Sequence, residues 1–256
     1  FDAILEASYG IMVARGDLGI EVAAERIPVI QHEMIGKCIA AHRPVIVATQ
    51  MLHSMITNPR PTRAEISDIA AAVYQRADCL MLSGETANGR YPVEAVRTMA
   101  RVAQDVEASI TETSTGEHIP PLADAHVTSF LARQAVVAER EIGVKAIIAD
   151  AIHGRTSRFI ASFRGTCPVY AICYRKRTMR TLSLSYGIKA YYYKDYTPAE
   201  RYPLEALADF VHEGLLNPAD RIAFLGAING TGATFLEINA VQAILDNGAT
   251  DAAPGV

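Results

Sequence analysis

Short apolar runs alternate with helical periodicity along the first third of the chain. Ile11, Met12, Val13 and Ala14 run directly into Arg15-Gly16-Asp17 and a further glycine, Gly19. An apolar run closed by a turn predicts a strand over 11–16, buried on both faces. Ile27, Ile30, Met34, Ile35 and Cys38 follow at helical spacing. Pro44 restarts the chain into Val45-Ile46-Val47-Ala48, a second strand ending at Thr49-Gln50. Thr62-Arg63-Ala64-Glu65 is a T-x-x-E capping box, and Ile66, Ile69, Ala70 and Val73 share one helical face behind it. Cys79-Leu80-Met81-Leu82 forms a third strand, ending at Ser83-Gly84-Glu85. Pro92 stands where a first helical residue belongs, and Val93, Val96, Met99, Ala103, Val106 and Ile110 predict that helix's buried stripe. Phe1-Asp2-Ala3-Ile4-Leu5 reads as the middle of a helix, so the expectation is part of a longer polypeptide.

Asp17, Thr49 and Ser83 are 32 and 34 residues apart, the length of one strand-loop-helix-loop unit. Three successive βα units of a parallel sheet are expected, with all strand ends on one side. In parallel α/β folds chemistry gathers at that carboxyl edge. Two readings of Asp17 stand at this point: a cap on the next helical turn, or a carboxylate beside a glycine whose bare backbone lets a ligand approach. Three independent caps would explain each residue. They would not explain why an acid, a hydroxyl and a Ser-Gly-Glu recur at the same place in the unit.

Residues 111–126 are polar and contain Pro120-Pro121, marking a linker and domain boundary. A second α/β series follows: helices over 127–141, 156–163, 177–186 and 203–216, and strands over 144–150, 168–173, 188–193 and 221–225. Gly226, Gly230 and Gly232 form a glycine-rich loop before a final strand or helix near 233–245, and residues 246–256 read as frayed. The alternation predicts an open, mostly parallel sheet with helices on both faces.

Half the residues are hydrophobic, enough for a sizeable core, and the net charge of −4 argues against nucleic acid or an anionic membrane as partner. No apolar run approaches the roughly 18 residues of a membrane span. Cys38, Cys79, Cys167 and Cys173 lack C-x-x-C spacing and read as buried free thiols of a cytoplasmic protein. The histidines are too scattered for a zinc site.

The runs GIMVARGDLGIE (10–21), IGKC (35–38), PVIVATQMLHSM (44–55), PRPTRAEISDIAAAV (59–73), ADCLMLSGETANGRYPVEAV (77–96) and HGRTSRFIASFRG (153–165) resemble the C-terminal part of pyruvate kinase. The resemblance is strong over about 1–110 and looser over 127–245. It implies an α/β protein: a partial (β/α)8 barrel over 1–112, supplying the last three barrel strands, a linker over 113–126, and an effector-type α/β domain over 127–256. It implies phosphoryl transfer from phosphoenolpyruvate to ADP, then protonation of the enolate to pyruvate. Asp17 matches a ligand of Mg²⁺ or Mn²⁺, hard ions suited to oxygen. Gly16 and Asp17 match the backbone amides that receive the substrate carboxylate. Thr49 matches the hydroxyl beside it, and Ser83 and Glu85 match a polar pair relaying the proton; Thr49, Ser83 and Glu85 are the candidate catalytic residues. The family's essential lysine, its second acidic metal ligand, and its K⁺ and ADP-phosphate ligands match nothing in this chain. The chain alone is therefore expected to be inactive, and the first third to need completion by another chain or fragment. The family is a cytoplasmic homo-oligomer, usually a tetramer.

In the second domain, Gly154, Arg155 and Thr156 match the family's effector-phosphate loop, but Asp150 and Ile152 stand near it where hydroxyls would serve. The second effector loop, 226–232, has neither the tryptophan nor the arginine often found there. A sulfate or simple phosphate held by helix amides fits better than a sugar bisphosphate. Arg175, Lys176, Arg177 and Arg180 oppose a helix dipole; either Arg175 and Arg177 serve an anion near Thr156, or the cluster is a solvated face. Two other functions compete with a transferase: a free-standing phosphometabolite-binding regulatory module, and another Mg²⁺-enolate barrel enzyme such as an aldol lyase. The TQML, RPTRAE and LSGETA runs favour the transferase over the lyase.

Overall fold

Every strand of the first 117 residues runs the same way. In the computed structural model, which describes residues 1–113, 126–194, 203–226 and 233–251, the chain divides into two units, Phe1–Glu117 and His118–Val256. The expected linker over 113–126, apart from its end residues Thr113 and His126, and most of the glycine-rich loop lie outside the described residues. The first unit opens with α1 (Asp2–Ala7), β1 (Ile11–Ala14), α2 (Arg15–Glu21) and α3 (Ile27–Ala40). It continues with β2 (Val45–Ala48), α4 (Arg63–Tyr74), β3 (Cys79–Met81), α5 (Gly84–Ala87) and α6 (Pro92–Thr113). The three strands form one parallel sheet in the order β1-β2-β3, with Met12 beside Ile46 and Ile46 beside Cys79.

Side chains alternate across a strand. Val13, Val45 and Val47 are buried with Ile35 and Cys38 of α3 and Ile69 and Ala72 of α4. The opposite face is open at β1, where Met12 is 49% exposed. The expected two-sided burial of the first strand therefore fails: helices cover one side only, and this sheet is a partial barrel without closure. β1 is also shorter than the predicted 11–16, because Arg15 already begins α2. In α6, Val93 and Val96 are 53% and 49% exposed, against expectation. The buried face is Ala95, Thr98, Val106 and Ile110, with Met99, Val102 and Ala103 partly covered. Ala95 and Thr98 take the contact because they lead the 3.6-residue stripe that reaches Val106 and Ile110, where α6 packs on α4.

The second unit alternates α7 (Val127–Ile142), β4 (Ala146–Ala151), α8 (Arg155–Ser162), β5 (Val169–Cys173), α9 (Lys176–Leu182) and β6 (Ile188–Tyr192). Then come α10 (Leu204–His212), β7 (Arg221–Gly226), β8 (Phe235–Ala240) and α11 (Val241–Asp251). The sheet order is β6-β5-β4-β7-β8, with only β8 antiparallel. Residues 227–234 join β7 to β8, too few for a parallel crossover of about a dozen or more residues. The final stretch is thus both strand and helix, and helix continues to Asp251 past the predicted fraying point. Both sheet faces are covered. Ile147, Ala149, Ala223 and Leu225 pack with α7 and α8 on one side, and Ile148, Ile172, Ile222 and Phe224 with α10 and α11 on the other.

None of the four cysteines forms a disulfide; Cys38 and Cys173 are buried, but Cys79 and Cys167 only half-buried. Burial, with the nearby Asp150 charge, pushes the Cys173 thiol up to about 12. Among the described residues no helix is long and apolar enough to cross a membrane. Phe210 is fully buried and packs on the Tyr170 and Tyr191 rings at 5.1 and 4.8 Å. Replacing it by alanine should destabilise the second unit by about 3–5 kcal/mol, read as a lower urea midpoint for that unit.

Candidate active site at the strand ends

The register aligns Ala14 with Ala48 and Ala48 with Met81. The segments that follow, 15–17, 49–52 and 83–85, therefore leave adjacent parallel strands at one rim. Asp17, Thr49 and Ser83 come together there as the spacing predicts. The Gly16 N–H donates to Thr49 Oγ1 at 3.0 Å, joining the first two strand ends. Asp17 does not cap α2: the cap position is Ala14, without a side-chain hydrogen bond, and Asp17 stands exposed in the first turn. A negative charge is favourable at that end of a helix.

Thr49 and Gln50 both take left-handed backbone conformations, with φ of 71° and 55°. Such conformations cost non-glycine residues about 1–3 kcal/mol each and persist only where the surroundings over-determine them. Arg15 provides much of that determination. Its side chain is 11% exposed. Nη2 donates to the Thr49 carbonyl at 2.6 Å and to Met51 Sδ at 2.8 Å, and Nε donates to the Ala48 carbonyl at 3.3 Å. Nη1 meets both Asp68 carboxylate oxygens at 2.6 Å. Sequence reasoning passes over Arg15 because its ion-pair partner lies 53 positions away on α4; an arginine directly after an apolar strand was the only local signal.

Glu85 holds the same loop from the third strand. It is 2% exposed. One oxygen accepts the Leu52 N–H at 3.1 Å and the other the Ser83 N–H at 2.8 Å. Its neighbour Gly89 is sterically required, since a Cβ there would fall 2.4 Å from the Glu85 carbonyl oxygen. Further along, the predicted capping box forms: Thr62 Oγ1 accepts the Glu65 N–H at 3.2 Å and Glu65 accepts the Thr62 N–H at 2.8 Å. Glu65 also accepts the Ser54 N–H and hydroxyl at 2.7 and 2.6 Å. Burial pushes its pKa up, but the bonds from Ser54 and Thr62 outweigh that and hold the carboxyl below its ordinary 4.5.

Asp17 does not make a metal site by itself. No group of three His, Cys, Asp or Glu able to hold a metal occurs among the described residues. Mg²⁺ releases its water shell only to several oxygens, and one exposed carboxylate does not replace them. The described residues alone do not fit the ion.

The second candidate locus lies at the carboxyl ends of β4 and β5, which are adjacent and parallel. Gly154 is buried, with φ 73° at the start of α8, and a Cβ there would lie 2.9 Å from Leu182. Arg155 is exposed and Thr156 buried. Arg175 sits at the cap position of α9, and it, Lys176 and Arg177 are exposed. The Thr178 hydroxyl donates to the Ile152 carbonyl at 3.1 Å, tying the two strand exits together. Arg155, Arg175, Lys176 and Arg177 make no salt bridge among the described residues. Burial pushes the Asp150 carboxyl up, opposed by a hydrogen bond with Tyr174, and its Oδ1 has no hydrogen-bond partner among the described residues.

Together, parallel βα units with polar groups at one carboxyl edge and a following open sheet define a barrel-class α/β protein with an appended α/β unit. Residues 1–96 match the family model "Pyruvate kinase, barrel domain", and residues 130–236 match "Pyruvate kinase, alpha/beta domain". Pyruvate kinase of Borreliella burgdorferi is 39% identical over 247 residues, 94% of this chain and 51% of that protein. Pyruvate kinase of Leishmania mexicana is 45% identical over 198 residues, 75% of this chain and 39% of that protein. The crystal structure of a pyruvate kinase from Cryptosporidium parvum superposes with a TM-score of 0.82 at 36% identity, covering 94% of this chain and 48% of that one. The chain belongs to the pyruvate kinase family, a family of phosphotransferases, and spans about half the length of the relatives it matches.

A carboxylate whose pKa is depressed on folding stabilises the fold above its unfolded pKa, and the contribution fades as pH falls through the folded one. Wild type should therefore be more stable than Glu65→Gln by a constant margin above about pH 4.5, with the margin closing as pH drops further. Urea midpoints of the first unit across pH 3–7 measure it.

Proposed function

We propose that this chain serves phosphoryl transfer from phosphoenolpyruvate to ADP, yielding ATP and, after protonation of the enolate carbon, pyruvate. Residues 1–112 contribute the last part of the catalytic barrel, 113–126 the linker, and 127–256 the effector-type domain of a cytoplasmic homo-oligomer, a tetramer as in the family. The observation that carries this reading is the Gly16 N–H···Oγ1 Thr49 bond between adjacent strand ends. A hydroxyl that accepts from an amide keeps its own proton to give. Thr49 then donates to the substrate carboxylate beside the Gly16–Asp17 turn. Ser83 relays the proton toward the enolate, and Glu85, bound to the Ser83 amide, orients it. Asp17 would supply one oxygen ligand to a divalent ion whose other ligands come from outside these residues.

Purified alone, the 256-residue chain should form no pyruvate in a coupled assay with phosphoenolpyruvate, ADP and Mg²⁺. Joined behind the part of the Borreliella burgdorferi relative that it does not match, it should turn over. Thr49→Val in that hybrid should lower kcat by about 10²–10³, the usual cost of one preorganised donor. Unchanged kcat would remove Thr49 from the reaction, and pyruvate from the isolated chain would overturn its incompleteness.

One observation favours a second role for residues 127–256 as a phosphometabolite-binding module: four cations at the β4 and β5 exits lack a carboxylate partner among the described residues. Like charges at helix starts are unfavourable without an anion. An Arg175→Ala/Arg177→Ala variant should bind inorganic phosphate and sugar phosphates more weakly than the parent; equal affinities would assign the cluster to a solvated face.

A further inference from the structure

We propose that Arg15, oriented by Asp68, is the positioning residue that aims the Thr49 hydroxyl, and that Glu85 closes the same clamp from the opposite strand. The proposal rests on Thr49 serving the reaction and adds how its aim is set. Three facts converge on residues 48–52. Thr49 and Gln50 hold left-handed φ values that neither side chain favours. Arg15 donates to the two carbonyls that flank Thr49, its own and that of Ala48. Glu85 accepts the Leu52 N–H just beyond it. A cation on the carbonyl side and an anion on the amide side thus pin the bend at both ends.

The clamp has a built-in reference. Asp68 rides on α4, whose apolar face is anchored in the core at Ile69, Ala72 and Val73. Both oxygens of Asp68 meet one guanidinium nitrogen, so Arg15 is held relative to the helix and carries that position to the Thr49 carbonyl. The hydroxyl of Thr49 then lies 3.0 Å from the Gly16 nitrogen. Arg15 and Gly16 are chain neighbours, so one turn grips Thr49 twice: by carbonyl through a side chain, and by hydroxyl through an amide. Lysine cannot reproduce this, because a single ammonium lacks the planar fork that spans several acceptors at once.

Methyl NMR and amide hydrogen exchange on the hybrid, in which the first unit's sheet is completed, test the clamp without requiring turnover. The parent should show one Thr49 rotamer and a protected Gly16 amide. In Arg15→Lys and in Asp68→Asn the Thr49 methyl should average between rotamers and the Gly16 amide should exchange about tenfold faster or more, while the Val47 methyls stay unchanged. Gln50→Gly, which accepts positive φ without strain, should restore part of the Gly16 protection in the Asp68→Asn background. A single Thr49 rotamer and unchanged Gly16 exchange in Asp68→Asn overturn the proposal, whether or not Arg15→Lys folds. So does equal loss of protection throughout the first unit, which would make Arg15 only a core fastener. If the clamp responds as stated while Thr49→Val leaves kcat unchanged in the hybrid, the functional reading fails and the clamp stands.

Discussion

A nearly buried guanidinium holds the first unit's working edge together. Removing Arg15 from water is tolerable only if its donors find acceptors inside the protein. They find them on two elements: the carboxylate of Asp68 on α4, and the main chain just beyond β2. That arrangement makes a strained bend affordable. Without it, left-handed Thr49 and Gln50 would relax toward conformations that turn the hydroxyl elsewhere. Glu85 answers with opposite charge, taking two main-chain amides from two loops. The rim's polar residues thus divide into two that present themselves, Asp17 and Thr49, and two largely withdrawn from water that grip the main chain beside them, Arg15 and Glu85.

The two units solve the same packing problem differently. Parallel strands carry apolar residues on both faces and need cover on both. The second unit has that cover, with α7 and α8 on one side and α10 and α11 on the other. The first unit has it only on the helix side, and Met12 remains open on the other. In a closed barrel that second face is filled by side chains from the remaining strands. The half-length match to solved and curated relatives and the uncovered sheet face describe the same incompleteness, one from sequence and one from packing.

In the second unit, β4 lies between β5 and β7, so the chain's winding reverses beside it. Open α/β sheets bind ligands outside the carboxyl ends at such a reversal. The residues there are mixed in charge: exposed cations follow β4 and β5, while Asp150 is half-buried near the end of β4 itself. A carboxyl so placed is a poor neighbour for a phosphate unless it is protonated, whereas the arginines are good ones. An anion at this edge would be held on the arginine side.

Local pattern alone determined a good deal of this protein. Apolar runs of four residues, the Thr62–Glu65 box and the 32- and 34-residue spacing of Asp17, Thr49 and Ser83 fix the βα repeat and the common rim, because strand direction and crossover length follow from chain connectivity. Sequence could not decide which face of β1 would be covered, nor the register of the α6 stripe, because burial belongs to the neighbours and not to the residue. It could not find Arg15 or the buried role of Glu85, since their partners are separated by 33 to 53 positions. It named the polar groups at the common rim. Only the tertiary structure decided which charges hold them in place, because a guanidinium or carboxylate is buried at the point where distant main-chain dipoles converge, and that convergence exists only once the strands lie side by side.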